Sequence, residues 1–281
     1  MFGFMLNYLL QTTVEIRSIL NVYGQLETRL ISLERCSYFM KVKPEEGYKG
    51  LDLLENALRQ NKNVNLDLSK LSWPSRGKLE IKNLFVRYRQ DLPDVLKNIN
   101  LTIEPGTKVG IVGRTGAGKS TLISALYRTF DQYKGDIVYD GLEIRQIDLK
   151  VLRNSMTIIP QDPYVFADSL RNNMDPVGKF SDEAIIDILR KVNLWRKFKE
   201  MDGLESTIEG GGSNVSQGEK QLLCLARALL FDNRLVLMDE ATANIDTQTE
   251  VLIQRLIKEK FVNSTILMIA HRLNTILHCD K

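Results

Sequence analysis

The strongest chemical signal in the chain is the run Gly113-Arg114-Thr115-Gly116-Ala117-Gly118-Lys119-Ser120. It has the spacing G-x-x-x-x-G-K-S, and Thr121 with an apolar helical pattern to Leu126 follows it. Residues 108–112 upstream read as a short buried strand. The run therefore lies between a strand and a helix, the setting in which such a loop cradles phosphates. Glycines let backbone N–H groups turn inward and approach an anion with no Cβ in the way. A helix starting near Lys119 presents unsatisfied N–H groups and roughly half a positive charge at its N-terminus. The Lys119 ammonium reaches β- and γ-phosphates, and the Ser120 hydroxyl is a ligand for Mg²⁺.

Three more apolar runs end in polar residues. Residues 157–159 lead to Pro160-Gln161-Asp162, residues 235–238 to Asp239-Glu240, and residues 265–270 to His271. With 108–112 they make four short β-type runs separated by helical stretches, which predicts a mostly parallel sheet with helices on its faces. Such sheets bind ligands beyond the carboxyl ends of their strands. Gln161, Asp239, Glu240 and His271 are thus expected on the edge that carries the glycine loop. Asp239 is a hard oxygen donor suited to Mg²⁺ through water. Glu240, one residue on, points elsewhere and accepts a proton from an attacking water. Gln161 completes the metal or water shell through its amide, and His271 bonds the γ-phosphate or orients the water. His278 has no comparable placement.

A second helix start follows the loop at 210–215. Ser216 and Glu219 stand as S-x-x-E, a capping box, ahead of a stretch whose Leu222, Leu225, Ala226 and Leu229 share one face. Spacing leaves two readings open: a capped core helix, or an anion-binding helix start with Ser216 Oγ and the Gly218 N–H facing a phosphate. Tyr88 is equally open, as a strand aromatic in a core or a flat face for a base.

The surrounding elements set limits. The 281 residues allow one large domain or two small ones. Apolar residues at 43% and charged ones at 26% describe an ordinary globular chain and argue against disorder. A net charge of +3 is too even to demand a nucleic-acid partner. Cys36, Cys224 and Cys279 form no CxxC pair, so neither a disulfide framework nor a zinc site is expected, and a reducing setting fits. The apolar start of the chain is cut short by Glu15 and Arg17, well under the ~20 residues a span needs. It also lacks the basic flank of a signal peptide. Ile16, Ile19, Leu20, Tyr23, Leu26, Leu30 and Leu33 then keep a helical stripe. Residues 1–40 read as one long helix, either packed on the globular domain or forming the inner end of a transmembrane helix. Residues 41–78 are a polar connector with a short helix at 52–60, and the globular domain starts near Leu79.

Taken in order, the glycine loop, Gln161, residues 216–219, Asp239-Glu240 and His271 resemble the nucleotide-binding domain of ABC transporters, from about Leu79 to the C-terminus. The wording over 111–120, 159–163 and 224–230 looks most like the second such domain of the C subfamily, the multidrug-resistance-associated exporters. The resemblance implies an α/β P-loop NTPase with a mostly parallel sheet, an antiparallel β subdomain, and a helical subdomain over 163–215 that couples to a membrane part. It implies ATP and Mg²⁺ as cofactors, and hydrolysis of ATP to ADP and phosphate. Gly113, Arg114, Thr115, Gly116, Ala117, Gly118, Lys119, Ser120 and Thr121 would hold phosphates, and Tyr88 would stack on adenine. Ser120, Gln161 and Asp239 would hold the metal. Glu240 would act on water, with His271 and Gln161 sensing the γ-phosphate. Ser216 and Gly218 would act on the ATP of a second nucleotide-binding domain, which residues 243–246 would contact.

On this reading 1–40 is the C-terminal end of a transmembrane-domain helix, 41–78 a linker, and 79–281 the nucleotide-binding domain, truncated at its C-terminus. The partners are the second nucleotide-binding domain, the transmembrane domains and the membrane, with no nucleic acid. The domain sits on the cytoplasmic side. Where the family reads Leu-Ser-Gly-Gly-Gln, this chain has Val215-Ser216-Gln217-Gly218-Glu219, and Glu219 adds a negative charge near the expected position of a partner's nucleotide. A soluble ABC-type ATPase of translation or DNA repair is the alternative; it would lack the membrane-derived helix and carry a more basic surface. A binding-only module is opposed by Glu240, the base that such a module can lose.

Overall fold

The computed structural model describes residues 2–42, 73–89, 91–130, 133–241, 245–270, 276 and 278–281. The chain divides into two compact units, residues 1–46 and 47–281. The first is a single helix, α1 (Phe2–Lys41). Its 40 residues extend for about 60 Å. No proline interrupts it, and the Thr13 and Thr28 hydroxyls donate to carbonyls one turn back, at 2.8 and 3.0 Å. No α1 residue is buried, so its apolar side chains, Phe4, Tyr8 and Leu9 among them, are exposed. Among the described residues no helix is long and apolar enough to cross a membrane. The short helix expected at 52–60, His271, and residues 243 and 244 all lie outside the described residues.

The second unit begins with β1 (Leu79–Val86), β2 (Leu96–Ile103) and β3 (Lys108–Ile111), then α2 (Lys119–Leu126), β4 (Tyr133–Tyr139) and β5 (Leu142–Glu143). There follow α3 (Leu149–Asn154), β6 (Met156–Ile159), and three helices, α4 (Leu170–Met174), α5 (Asp182–Lys191) and α6 (Trp195–Lys199). The chain continues through α7 (Gln217–Phe231), β7 (Leu235–Asp239), α8 (Thr247–Lys260) and β8 (Thr265–Ile269). The strands form two four-stranded sheets, an antiparallel one in the order β2-β1-β4-β5 and a parallel one in the order β3-β8-β7-β6.

The parallel sheet explains why its strands read as unbroken apolar runs. Leu235 and Leu237 on β7 and Leu267 and Ile269 on β8 face a core shared with the antiparallel sheet and α2. The alternate residues Val236, Met238, Ile266 and Met268 face a second core built on α5, α7 and α8. With both faces covered, no apolar–polar alternation survives. The register pairs Ile111 and Asp239 with Ile269, and Ile159 with Met238, so the carboxyl ends of all four strands line one rim. The α/β fold with separate parallel and antiparallel sheets, and helices between residues 163 and 215, is the one the resemblance implied. Residues 73–78, grouped with the connector by composition, are tied to the sheet: Asp140 Oδ2 accepts the N–H groups of Ser75, Arg76 and Gly77 at 2.9 Å each.

Candidate nucleotide site

The glycine loop turns sharply into α2. Gly116 and Gly118 have φ of +81° and +86°, and a Cβ on Gly118 would lie 2.7 Å from Leu96 Cδ2. Only glycine meets both the left-handed backbone and the close approach. Asp148, Ser169, Ser181, Ser216 and Asp246 each cap a helix through the side chain, starting α3, α4, α5, α7 and α8. The start of α2, at Gly118, has no side-chain cap. Its first N–H groups therefore face the cleft with no side-chain acceptor. The buried Lys119 curls over the loop, donating from Nζ to the Gly113 carbonyl at 2.9 Å and that of Arg114 at 3.2 Å.

One rim gathers the remaining groups. Ser120 Oγ donates to Asp239 Oδ1 at 3.1 Å, joining the first turn of α2 to the end of β7. Glu240 then takes a left-handed φ of +49°, an uncommon state for a non-glycine residue, while its N–H bonds the Ile269 carbonyl at 3.0 Å. Of the two consecutive carboxylates, Asp239 meets Ser120 and Glu240 lines the cleft. A cleft of about 580 Å³ is lined by Tyr88, Lys119, Ser120, Gln161 and Glu240, with Thr115, Gly116, Gly118 and Thr121 among its walls. The hydroxyl and carboxylate of Ser120 and Asp239 are the hard oxygen donors that Mg²⁺ takes. Among the described residues no group of three or more His, Cys, Asp or Glu stands ready to hold a metal. A sparse donor set of this kind fits an ion that keeps waters and takes phosphate oxygens from its ligand.

Tyr88 lies just past β1 on the cleft wall and is half-exposed. Its hydroxyl is 2.8 Å from Thr121 Oγ1, and its ring meets Phe130 edge to face at 5.2 Å between centroids. Of the two roles open from sequence, a core aromatic does not match this position. Val95, which also lines the cleft, and Phe130 were not singled out in the sequence, since nothing in their spacing sets them apart from core residues.

Ser216 and Gly218 are not among the residues lining this cleft. Ser216 Oγ accepts the Glu219 N–H at 3.2 Å, and Glu219 Oε2 accepts the Ser216 N–H at 2.8 Å, a closed capping box. The same Glu219 oxygen lies 2.8 Å from Lys197 Nζ on α6. The charge that Glu219 adds at this helix start is compensated, because the carboxylate turns back on its own helix start and meets an ammonium. Burial pushes the Glu219 carboxyl up, but Lys197 and the Ser216 N–H outweigh it and hold the group below its ordinary value.

Comparison with known proteins agrees with this architecture. The model of the family described as "ABC transporter" matches residues 96–243, just over half of the chain. The chain is 43% identical over 297 residues to a pleiotropic ABC efflux transporter of multiple drugs from Candida glabrata, with 99% of this chain and 17% of that protein covered. It is 41% identical over 283 residues to a metal resistance protein of Saccharomyces cerevisiae (100% of this chain, 18% of the relative). It is also 41% identical over 280 residues to the ATP-binding cassette sub-family C member 3 of Mus musculus (99% and 18%). The chain thus spans less than a fifth of the length of these relatives. With the glycine loop, the parallel sheet and the matched family model in agreement, the chain belongs to the ABC transporter family.

Proposed function

We propose that this chain is the ATP-binding and ATP-hydrolysing domain of an ABC-type membrane exporter, coupling hydrolysis to transport. The observation that carries the reading is one cleft lined by Lys119, Ser120, Gln161 and Glu240, with Asp239 meeting that Ser120. The amides of residues 113–121 and the Lys119 ammonium bind the phosphates, and the Tyr88 ring takes the adenine face. Ser120, Asp239 and Gln161 hold Mg²⁺, which when bound neutralises phosphate charge. Glu240 accepts the proton of the attacking water, while Gln161 and His271 report the γ-phosphate. Ser216 and Gly218 serve the nucleotide of a second nucleotide-binding domain, and residues 243–246 meet that domain.

Residues 1–40 form the inner end of a transmembrane-domain helix, 41–78 the linker, and 79–281 the nucleotide-binding domain, on the cytoplasmic side of the membrane. The apolar side chains exposed along α1 and the relatives named as efflux and resistance proteins support this reading over a soluble ATPase of translation or DNA repair. The test is binding of a fluorescent ATP analogue to the full-length protein carrying Lys119→Ala. Affinity is expected to fall about tenfold or more, as for loss of a charge-assisted phosphate contact. Unaltered affinity overturns the assignment.

A further inference from the structure

The segment that carries Gln161 is irregular: it leaves β6 at Ile159 and reaches α4 only at Leu170. Its backbone is held from outside. On α7, Gln221 is buried, and its Nε2 donates to the Pro160 carbonyl, the residue before Gln161, at 3.3 Å. Two steps of three residues further along α7, Arg227 reaches the other side of the segment. Its Nη1 donates to the Tyr164 carbonyl at 2.7 Å, its Nε to the Asn173 carbonyl at 2.6 Å, and its Nη2 to Asn173 Oδ1 at 3.2 Å. Asn173 is buried in turn. It accepts the Phe166 N–H at 2.8 Å, and its Nδ2 donates to the carbonyls of Phe166 and Ser169 at 3.0 Å each.

One helix therefore grips the chain on both sides of Gln161, and that helix is the one that starts at Ser216. The Arg227 guanidinium donates to carbonyl and amide oxygens, with the Cys224 thiol 4.0 Å away. A planar fork with several fixed donors suits this task, since it meets two separated pieces of backbone at once. A lysine ammonium at the end of a flexible stem does not span them.

We propose that Arg227, seconded by Gln221, is a positioning residue for Gln161. It sets the height of the Gln161 side chain over the cleft, so that a displacement of α7 at its Ser216 end is carried to Gln161 as one piece. The inference rests on reading the cleft as the ATP site. In that reaction Arg227 touches neither nucleotide nor metal; it acts through the backbone at Tyr164. Misplacing a catalytic group by a fraction of an ångström lowers the rate with little change in ground-state binding.

The experiment compares Arg227→Lys, Gln161→Ala and their combination in the full-length protein. Turnover, ATP affinity, thermal melting and amide hydrogen exchange over residues 161–166 are read for each. Arg227→Lys is expected to lower kcat about tenfold with affinity held within about twofold. Exchange over 161–166 is expected to quicken. The double variant is expected to be no slower than Gln161→Ala alone, because the two act on one step. Unchanged turnover in Arg227→Lys, or losses that multiply in the double variant, overturns the proposal. If Arg227→Lys does not fold, Gln221→Met decides: a loss in kcat that Gln161→Ala absorbs supports the proposal, and unchanged turnover overturns it. Failure of the ATP site itself is recognised separately, by unaltered nucleotide affinity in Lys119→Ala.

Discussion

Ser120 Oγ lies 3.1 Å from Asp239 Oδ1, although 119 positions separate the two residues in the chain. The contact requires that the end of β7 and the first turn of α2 meet at one rim. The parallel register delivers this, because Asp239 pairs with Ile269 and Ile269 with Ile111, two residues before the glycine loop. A hydroxyl and a carboxylate so placed present hard oxygens at the first turn of α2, where Lys119 also lies.

Glu240→Gln removes the proton acceptor and keeps side-chain size. Turnover is expected to fall about 100-fold or more, the scale of losing a general base, with ATP binding retained. Steady-state hydrolysis alongside a binding titration measures both. Turnover within a few-fold of the parent assigns the base elsewhere.

Tyr88→Ala is expected to raise the ATP concentration for half-saturation about fivefold or more, the scale of one base–aromatic stack. Tyr88→Phe keeps the ring and loses only the hydroxyl contact to Thr121, so its half-saturation should stay near the parent's. Inhibition by inorganic triphosphate, which has no base to stack, should be the same in all three. A parallel loss of triphosphate binding in Tyr88→Ala would assign the ring to the phosphates instead.

Gly118→Ala places a Cβ 2.7 Å from Leu96 Cδ2 on a residue with φ of +86°. The left-handed backbone alone costs about 1–2 kcal/mol for an alanine. Chemical denaturation should show at least that loss, together with weaker ATP binding, because the strain sits where the first N–H groups of α2 are aimed. Stability equal to the parent's would mean that the turn relaxes without cost.

Glu219 makes stability depend on pH. Its carboxyl is held below the ordinary value: burial pushes it up, and Lys197 and the Ser216 N–H pull it down by more. A depressed carboxyl stabilises the fold above its unfolded pKa and loses that contribution as pH falls through the folded pKa. Melting temperatures should therefore drop more steeply for the parent than for Glu219→Gln between about pH 5 and about pH 3. Parallel melting curves across that range would remove the ion pair from the account. The Lys197 side chain is 39% exposed, so added salt should shrink the difference.

Much of this arrangement is legible in the amino-acid order because its causes are local. The glycines at 116 and 118, the strand before them and the helix after them are neighbours in the chain. A phosphate-loop turn needs nothing from elsewhere except room for its backbone. The four apolar runs, three ending in polar residues and one in the glycine loop, announce a sheet covered on both faces, and a parallel sheet presents its carboxyl ends together. The capping box from Ser216 to Glu219 likewise spans only four residues and is readable as such.

What the order of residues leaves open is settled by contacts between distant segments. Tyr88 belongs to the cleft wall rather than a core because Thr121 and Phe130 come to its hydroxyl and ring. Glu219 is compensated because Lys197, on a separate helix, folds back to within 2.8 Å. Gln221 and Arg227 look like ordinary members of an amphipathic helix, and only packing brings the carbonyls of Pro160 and Tyr164 within their reach. Hydrogen bonds to backbone carbonyls leave no trace in residue type at the accepting position, since every residue has a carbonyl to offer. The amino-acid sequence thus determined the phosphate loop and the sheet that carries it, whereas tertiary packing decided which side chains hold Gln161 and which neutralise Glu219.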